Sequence, residues 1–567
     1  IIMQKTGRLE LTWVGKYEDK VVEPRILLED TSKSYGDPSS ENMLIHGDNL
    51  IALQALQQDF SGEIKCIYID PPYNTGSAFE HYDDNLEHSI WLSLMRERLI
   101  LLRELLSEEG TIWIQIDDEE QAYLKVLCDE VFGRGNFVNM ISVNMKNIAG
   151  ASGGGEDKRL KKNCEYILIY AKDYSLLPLF NGPYVYTEMS ELIQQYLDEG
   201  KSWKYTSVLV NPGEKEYIGS TVDGDGNEIK VFRRIGVETL SVNQLAKREG
   251  LTLKEAYQKY GINVFRTTNA QTSIRTRIID FRRENAITDQ VLSIEYVPRT
   301  GKNRGKVYEQ FYKDDVCNLF VWLRDTSEVI DGELYKKDLQ GTYWDMNAWM
   351  KNLTKEGSVE FGNGKKPEQL VRQILEMTTS PSDWVLDSFL GSGTTAAVAT
   401  KMNRKWVCIE LGEHAYTHCK VRLDRVINGE DSGGITKSVD WQGGGGYHFY
   451  ELAPSLLVKN DKLPIYQINP SYTFEMLCEA ICKIEGFRYK PQDVFHGHSS
   501  EKRFIHITTE FVNAGYIKSL SARLAEGQSL LIYGTKIQSD MILPDNIEVK
   551  KIPKDFLEKC DFESEVQ

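Results

Sequence analysis

The string Asp70-Pro71-Pro72-Tyr73 follows directly on the apolar run Ile64-Lys65-Cys66-Ile67-Tyr68-Ile69. Two prolines at the end of a buried strand fix the backbone and remove two N–H donors. What remains is a carboxylate, backbone carbonyls and an aromatic ring. Such a set accepts hydrogen bonds, so it suits an exocyclic amine. Asp70 and the Pro71 carbonyl would each accept one N–H, and Tyr73 would stack on the ring that carries the amine. A strand-ending turn with a packed tyrosine is the plain alternative, and the full four-residue string after a hydrophobic strand argues against it.

A second constellation lies some 300 residues further on: Trp384-Val385-Leu386-Asp387-Ser388-Phe389-Leu390-Gly391-Ser392-Gly393-Thr394-Thr395. It reads as strand, loop and helix start. Glycines let the backbone approach a ligand closely, and a helix N-terminus offers free N–H groups. The next strand, Trp406-Val407-Cys408-Ile409, ends in Glu410. An acidic residue about 20 positions past a glycine loop can accept both hydroxyls of a ribose diol. A lone G-x-G could be an ordinary turn, but the ordered series of elements points to a nucleoside-containing cofactor. Neither Gly301–Val307 nor Gly362–Lys365 fits a phosphate-binding P-loop.

The elements that must position these residues follow from periodicity. Met43–His46, Ile64–Ile69, Thr111–Ile116 and Glu165–Tyr170 read as strands, and Asn49–Gln58 and Ile90–Leu106 as helices, the latter amphipathic. A further helix runs to about Val131. The alternation fades from about 175 to 350, in a stretch rich in Tyr and Arg with a turn at Asp223–Asn227. It returns as helix Pro367–Met377, strand Trp384–Leu386, helix Thr394–Met402 and strand Trp406–Ile409. Arg503–Ile507 and Ser529–Tyr533 are strands of a small terminal unit. Ala149–Gly155 reads as a loop and Gly443–Gly446 as a boundary. Strands alternating with helices predict a parallel, doubly wound α/β sheet.

With 567 residues, 41% hydrophobic and 27% charged, the chain has the balance of a globular protein, and its length suggests about three or four domains. No run of about 18 apolar residues occurs, which excludes a simple membrane-spanning helix. The first residues, Ile1-Ile2-Met3-Gln4-Lys5, hold no apolar core of a secretory signal, and Met3 is read as the natural start. Nine scattered cysteines read as reduced thiols. Cys478 and Cys482 form an i,i+4 pair without zinc-type neighbours, so no metal site is expected. Net charge is −17, but residues 231–310 carry fifteen Lys and Arg against eight Asp and Glu. A solvated face is one reading of that run and a nucleic-acid surface the other.

Together the two constellations resemble an amino-methyltransferase of DNA that uses S-adenosylmethionine. The acceptor turn precedes the glycine loop, a circularly permuted motif order that resembles the beta class. The wider series Asp70–Gly76, Tyr82–Asn85, Trp91-Leu92, Arg98-Leu99, Ile116–Glu119 and Phe132-Gly133 is similar to the modification subunits of type III restriction–modification systems. The resemblance covers about 40–450 well and the remainder loosely.

The resemblance implies a Rossmann-like sheet with an inserted α+β target-recognition domain and a small C-terminal α/β domain. Expected boundaries are 1–40 for an N-terminal segment, 41–145 for the catalytic half, 146–355 for the insert, 356–450 for the cofactor half, and 451–567 for dimer or partner contacts. Asp70, Pro71, Pro72 and Tyr73 would be catalytic. Asp387, Phe389, Gly391, Gly393, Thr394 and Thr395 would hold the donor's methionine end, Glu410 its ribose and Asp48 its adenine, with Lys366-Pro367 as an additional cofactor motif. Ser388 departs from the proline common at that place. Asp70, where cytosine-N4 enzymes typically have Ser, favours adenine N6 as the acceptor in flipped-out duplex DNA. DNA binding falls to Arg233, Arg234, Arg275, Arg277, Arg282, Arg283, Lys302, Arg304 and Lys306. A homodimer is expected, also from the apolar-rich helix 90–106, together with a helicase–nuclease restriction subunit and a cytoplasmic, nucleoid-associated place in a bacterium. The competing readings are a solitary adenine-N6 or cytosine-N4 methyltransferase, a recognition module that delivers a nuclease, and a nicotinamide oxidoreductase, which leaves Asp70–Tyr73 unexplained.

Overall fold

The computed structural model describes residues 10–17, 22–74, 87–145, 162–182, 184–298, 304–330, 332–351, 353–361, 364–460, 462–500 and 502–557. They fall into two compact units, one of residues 1–181 with 341–567, the other of residues 182–340.

The large unit is organised by an eleven-stranded sheet. Its central strands lie in the order Gly446–Leu452, Met43–His46, Lys405–Glu410, Trp384–Asp387, Ile64–Ile69 and Leu106–Ile116, and all neighbours in this series are parallel. The sheet is not parallel throughout. Cys164–Ala171 runs antiparallel to Leu106–Ile116, and Phe137–Asn144 antiparallel to Cys164–Ala171. Antiparallel neighbours need no crossover helix, and periodicity carries no information on strand direction. The fold is therefore a mixed α/β sheet with a parallel centre.

Side chains alternate across the strands into two cores. Leu44, Cys66, Tyr68 and Trp113 point to one face, where Leu370, Val371, Ile374 and Leu375 of helix Glu368–Thr378 cover them. Ile45, Ile67, Ile69, Ile112 and Ile114 point to the other, against Trp91, Leu92, Met95, Leu99, Leu102 and Leu105 of helix His88–Leu105. That helix spends its apolar stripe on the core, so it offers no argument for a dimer.

The small unit is an α+β body with its own eight-stranded sheet. Glu214–Val222 and Glu228–Ile235 pair as a hairpin around the Asp223–Asn227 turn. Helix Ser273–Glu284 presses Ile278 and Phe281 onto Val231, Leu292, Ile294 and Tyr312. This unit is narrower than the expected 146–355, because Cys164–Ala171 and Tyr343–Asp345 belong to the large sheet. At the C-terminal end, Arg488–Gln492, Phe495–Ser500, Arg503–Val512, Ser529–Ile537 and Ile547–Lys551 form a five-stranded sheet. Helix Phe474–Ile484 buries Cys478 and Cys482 in a cluster shared with Ile26, Ala453 and Leu456, which ties this part to the large unit. No helix among the described residues is long and apolar enough to cross a membrane.

Candidate active site

Strand Trp384–Asp387 lies directly beside strand Ile64–Ile69, with Leu386 opposite Ile67. This adjacency brings two motifs 300 residues apart in sequence to the same carboxyl edge of the sheet, where open α/β folds take ligands. Between them lies a cleft lined by Asp70, Pro71, Pro72, Tyr73, Asp387, Phe389, Gly391 and Thr395, with Phe361 and Lys366 also on its wall.

The acceptor turn is fixed from several sides. The Trp91 indole N–H donates to the Pro72 carbonyl at 2.9 Å. The Tyr73 hydroxyl reaches Asp70 Oδ1 at 2.7 Å and Glu165 Oε2 at 2.9 Å. Lys366 Nζ stands 2.9 Å from Asp70 Oδ2 and 3.6 Å from Glu165 Oε2, and 5.0 Å from the centre of the Tyr73 ring. Gln115 Nε2 donates to Glu165 Oε2 at 2.6 Å, and the Tyr68 hydroxyl holds the Gln115 carbonyl at 2.5 Å. Burial raises the Asp70 carboxyl, with Lys366 pulling against it. Burial also opposes the Lys366 charge, but Asp70 and Glu165 outweigh it and raise the ammonium. Burial, reinforced by the two carboxylates, lifts the Tyr73 phenol, which keeps it a donor. The free Tyr73 face expected from sequence is thus joined by a hydroxyl that bridges two acids.

In the glycine loop, Asp387 accepts the Phe389 N–H at 2.9 Å and the Thr395 hydroxyl at 2.6 Å. Burial pushes this carboxyl up to about 7, against those two hydrogen bonds. Gly391 and Gly393 have φ of +57° and +81°, a region costly for residues with a Cβ. Gly391 lines the cleft. Gly393 does not, and a Cβ there would meet Cys419 Cα at 3.2 Å. The Glu410 carboxylate accepts N–H groups of Gly391 and Gly412, at 2.6 and 3.0 Å, and stands 2.8 Å from His414 Nε2. In this structure it braces the loop.

Behind the loop lies a buried set of charges that sequence reasoning missed. Lys401 Nζ is 2.8 Å from Glu368 and 2.6 Å from Asp431, all three side chains without solvent exposure. Arg422 donates to Glu368 at 2.8 Å, the Ser392 carbonyl at 3.2 Å and Thr394 Oγ1 at 2.8 Å. Glu356, which burial and Glu368 push up to about 7, accepts the Glu368 N–H. Lys365, lowered to about 8 chiefly by burial, donates to the Glu356 and Val359 carbonyls. Pro367 starts helix Glu368–Thr378 and is buried. No spacing rule marks this set, because its members come from four separate segments.

Other expected residues land elsewhere. Asp48 caps helix Asn49–Phe60 through the Leu50 and Ile51 N–H groups, its second oxygen is 3.3 Å from Arg98, and it is not among the cleft's lining residues. In the small unit, Arg275 is buried and donates to the Cys317 and Val316 carbonyls at 2.9 and 2.6 Å, and Arg282 is buried beside it. The Arg234 side chain is buried and bonds Ser293 and Glu309. Arg234 and Arg275 spend their donors inside the unit and Arg282 is buried, which corrects their assignment to a DNA-facing surface. Arg233 is half exposed, with Asp289 at 3.0 Å. Arg277, Arg283, Arg304 and Lys306 are exposed. Lys302 lies outside the described residues.

The family described as DNA methylase matches residues 64–420, a span that contains both motifs and the cleft between them. The chain belongs to the DNA methylase family. Within it, the chain is 42% identical over 80% of its length to a Haemophilus influenzae protein named "Probable type III restriction-modification enzyme HindVI Mod subunit", and spans 59% of that protein. It is 28% identical to the type III EcoPI Mod subunit of Escherichia phage P1, of which it spans 63%. The chain thus spans less than two thirds of the length of these first relatives. It is 37% identical over 65% of its length to the type II methyltransferase M.KpnI of Klebsiella pneumoniae and spans 78% of that protein. Among solved structures, the cytosine-N4-specific PvuII DNA methyltransferase overlaps 71% of this chain and 90% of its own, at 11% identity and a TM-score of 0.31.

Proposed function

We propose that this DNA methylase transfers a methyl group from S-adenosylmethionine to N6 of adenine in double-stranded DNA. The observation that carries the reading is the single cleft onto which both the Asp70–Tyr73 turn and the Asp387–Thr395 loop open. The residues present fit such a donor: carboxyl groups of Asp70 and Asp387 line the cleft beside the aromatic rings of Phe389 and Phe361, a setting suited to a cation and a nucleoside.

When bound, S-adenosylmethionine supplies an electrophilic methyl on a positively charged sulfur. Phe389, Gly391 and Thr395 form the wall that would hold the donor, with Glu410 bracing Gly391, and Lys366 lies at its edge. Asp70 and the Pro71 carbonyl accept the two amine N–H groups and aim the nitrogen lone pair. The aimed lone pair would take up the methyl that such a donor supplies, and the surplus proton of the nitrogen would pass to water, with Asp70 and the Pro71 carbonyl holding the N–H groups throughout. Rate enhancement comes from orientation and from negative charge placed where positive charge grows. An amine inside a duplex cannot reach this cleft, so the base must flip out.

The relatives named as Mod subunits support the finer reading. In it the chain is the permuted, beta-class modification and specificity subunit of a bacterial type III restriction–modification system, acting in the cytoplasm as a homodimer with a helicase–nuclease subunit. Unit 182–340 then reads the DNA sequence, with Arg277, Arg283, Arg304 and Lys306 on phosphates or base edges. Expression in a host without adenine methylation, followed by long-read mapping of modified bases, tests this. N6-methyladenine at one recurrent sequence is the expected result; an unmodified genome contradicts it.

A further inference from the structure

Asp70 does not stand alone in the cleft, and its partner cancels its charge. Lys366 Nζ lies 2.9 Å from Asp70 Oδ2. A carboxylate neutralised by an ammonium at that distance has little net field to offer the positive charge that grows on the accepting nitrogen. The group that restores it is Glu165, on strand Cys164–Ala171 two places along the sheet from Ile64–Ile69. Its Oε2 receives the Tyr73 hydroxyl and the Gln115 amide and faces Lys366 at 3.6 Å. The side chains of Asp70, Glu165 and Lys366 are 19%, 16% and 10% exposed, so water screens them weakly. Ionised, the Asp70 and Glu165 carboxylates and the Lys366 ammonium sum to one negative charge.

Resting on the methyltransferase reading above, we infer that Glu165 is a further positioning and charge-setting residue of the reaction, holding Lys366 and Tyr73 in place and giving the Asp70 cluster its net negative charge. Its neighbours are arranged for that task. The Tyr68 hydroxyl takes the Gln115 carbonyl, which leaves the Gln115 N–H₂ group turned toward Glu165. The Tyr73 hydroxyl, the Gln115 amide and the Lys366 ammonium thus meet at Glu165 Oε2. Asp387, further along the cleft, is pushed up to about 7 by burial and cannot supply a constant charge. A preorganised negative charge beside a nitrogen that turns cationic acts in the transition state more than in the ground state, which is what raises turnover.

The test is a charge cycle read as kcat at saturating DNA and donor, with donor affinity measured by calorimetry on the same proteins. Glu165→Gln keeps the shape and loses the charge. Its kcat should fall about 100-fold or more, the range typical for losing one preorganised electrostatic group, with donor affinity within threefold of wild type. Adding Lys366→Met removes the ammonium that Glu165 balances, and the double variant should regain at least tenfold in kcat over Glu165→Gln. A purely structural role predicts the opposite, a double variant worse than the single. Glu165→Asp, which keeps the charge, should retain activity within tenfold of wild type and guards against a folding artefact. A Glu165→Gln enzyme within threefold of wild type, or a double variant no faster than the single, overturns the inference. Wild-type protein that methylates no base overturns the methyltransferase reading itself, so the two failures are distinguishable.

Discussion

Replacing Arg422 by Met probes how the glycine loop is held. Arg422 has no solvent exposure and makes three bonds, to Glu368 at 2.8 Å, to the Ser392 carbonyl at 3.2 Å and to Thr394 Oγ1 at 2.8 Å. Around it Lys401 pairs with Glu368 and Asp431, and Arg422 itself pairs with Glu368. The substitution takes from the buried Glu368 carboxylate one of its two cationic partners. Removing one partner of a buried pair costs about 3–5 kcal/mol, because the other charge stays desolvated. That is a large part of the ~5–15 kcal/mol that holds a typical domain together. Urea unfolding followed by linear extrapolation reads it directly. The compensating variant, Arg422→Met with Glu368→Gln, removes the carboxylate that lost its partner and should recover at least about 1 kcal/mol, a coupling expected only of interacting neighbours. A single variant that loses less than about 1 kcal/mol, or a double variant whose losses simply add, would refute the view that charge balance secures the loop.

Three further outcomes follow. Asp387 rises from 3.8 to about 7 on burial, so its folded form favours the proton; its stabilising contribution is full below about pH 4 and is lost as pH rises through 7, a decline of at most about 4 kcal/mol that Asp387→Asn should remove when the two stability–pH curves are subtracted. A side chain at Gly391 would enter the cleft beside the Phe361 ring and force a positive φ, so Gly391→Val should abolish calorimetric donor binding by a protein that still folds; normal binding would place the donor elsewhere. Neutralising Arg277, Arg283, Arg304 and Lys306 should flatten the salt dependence of DNA binding by about 0.9 per lost phosphate contact at unchanged donor affinity, and an unaltered slope would move recognition away from this surface.

The sequence was most legible where chemistry is local. Ile64–Ile69 was read to the residue, and the strand–loop–helix series of Trp384–Lys401 to within one, because alternation, prolines and glycines act over a few neighbours. Glu165 was read only as part of a strand. Its place in the cleft depends on which strand lies beside Leu106–Ile116, a long-range fact. Lys401, Arg422 and Asp431 were invisible for the same reason. The arginines of helix Ser273–Glu284 were misread by counting charge without asking which face they occupy. Arg275 and Arg282 are seven residues apart and share a stripe with Ile278. That helical spacing was available, and it marks them as buried.

The central claim is that the cleft methylates adenine at N6, and the most direct measurement is the identity of the product. Purified protein incubated with duplex DNA and isotopically labelled S-adenosylmethionine, digested to nucleosides and resolved by mass spectrometry, should yield label in N6-methyladenine, and none when Asp70 is replaced by Ala. Label in N4-methylcytosine would contradict the choice of base, and label undiminished by Asp70→Ala would contradict the site.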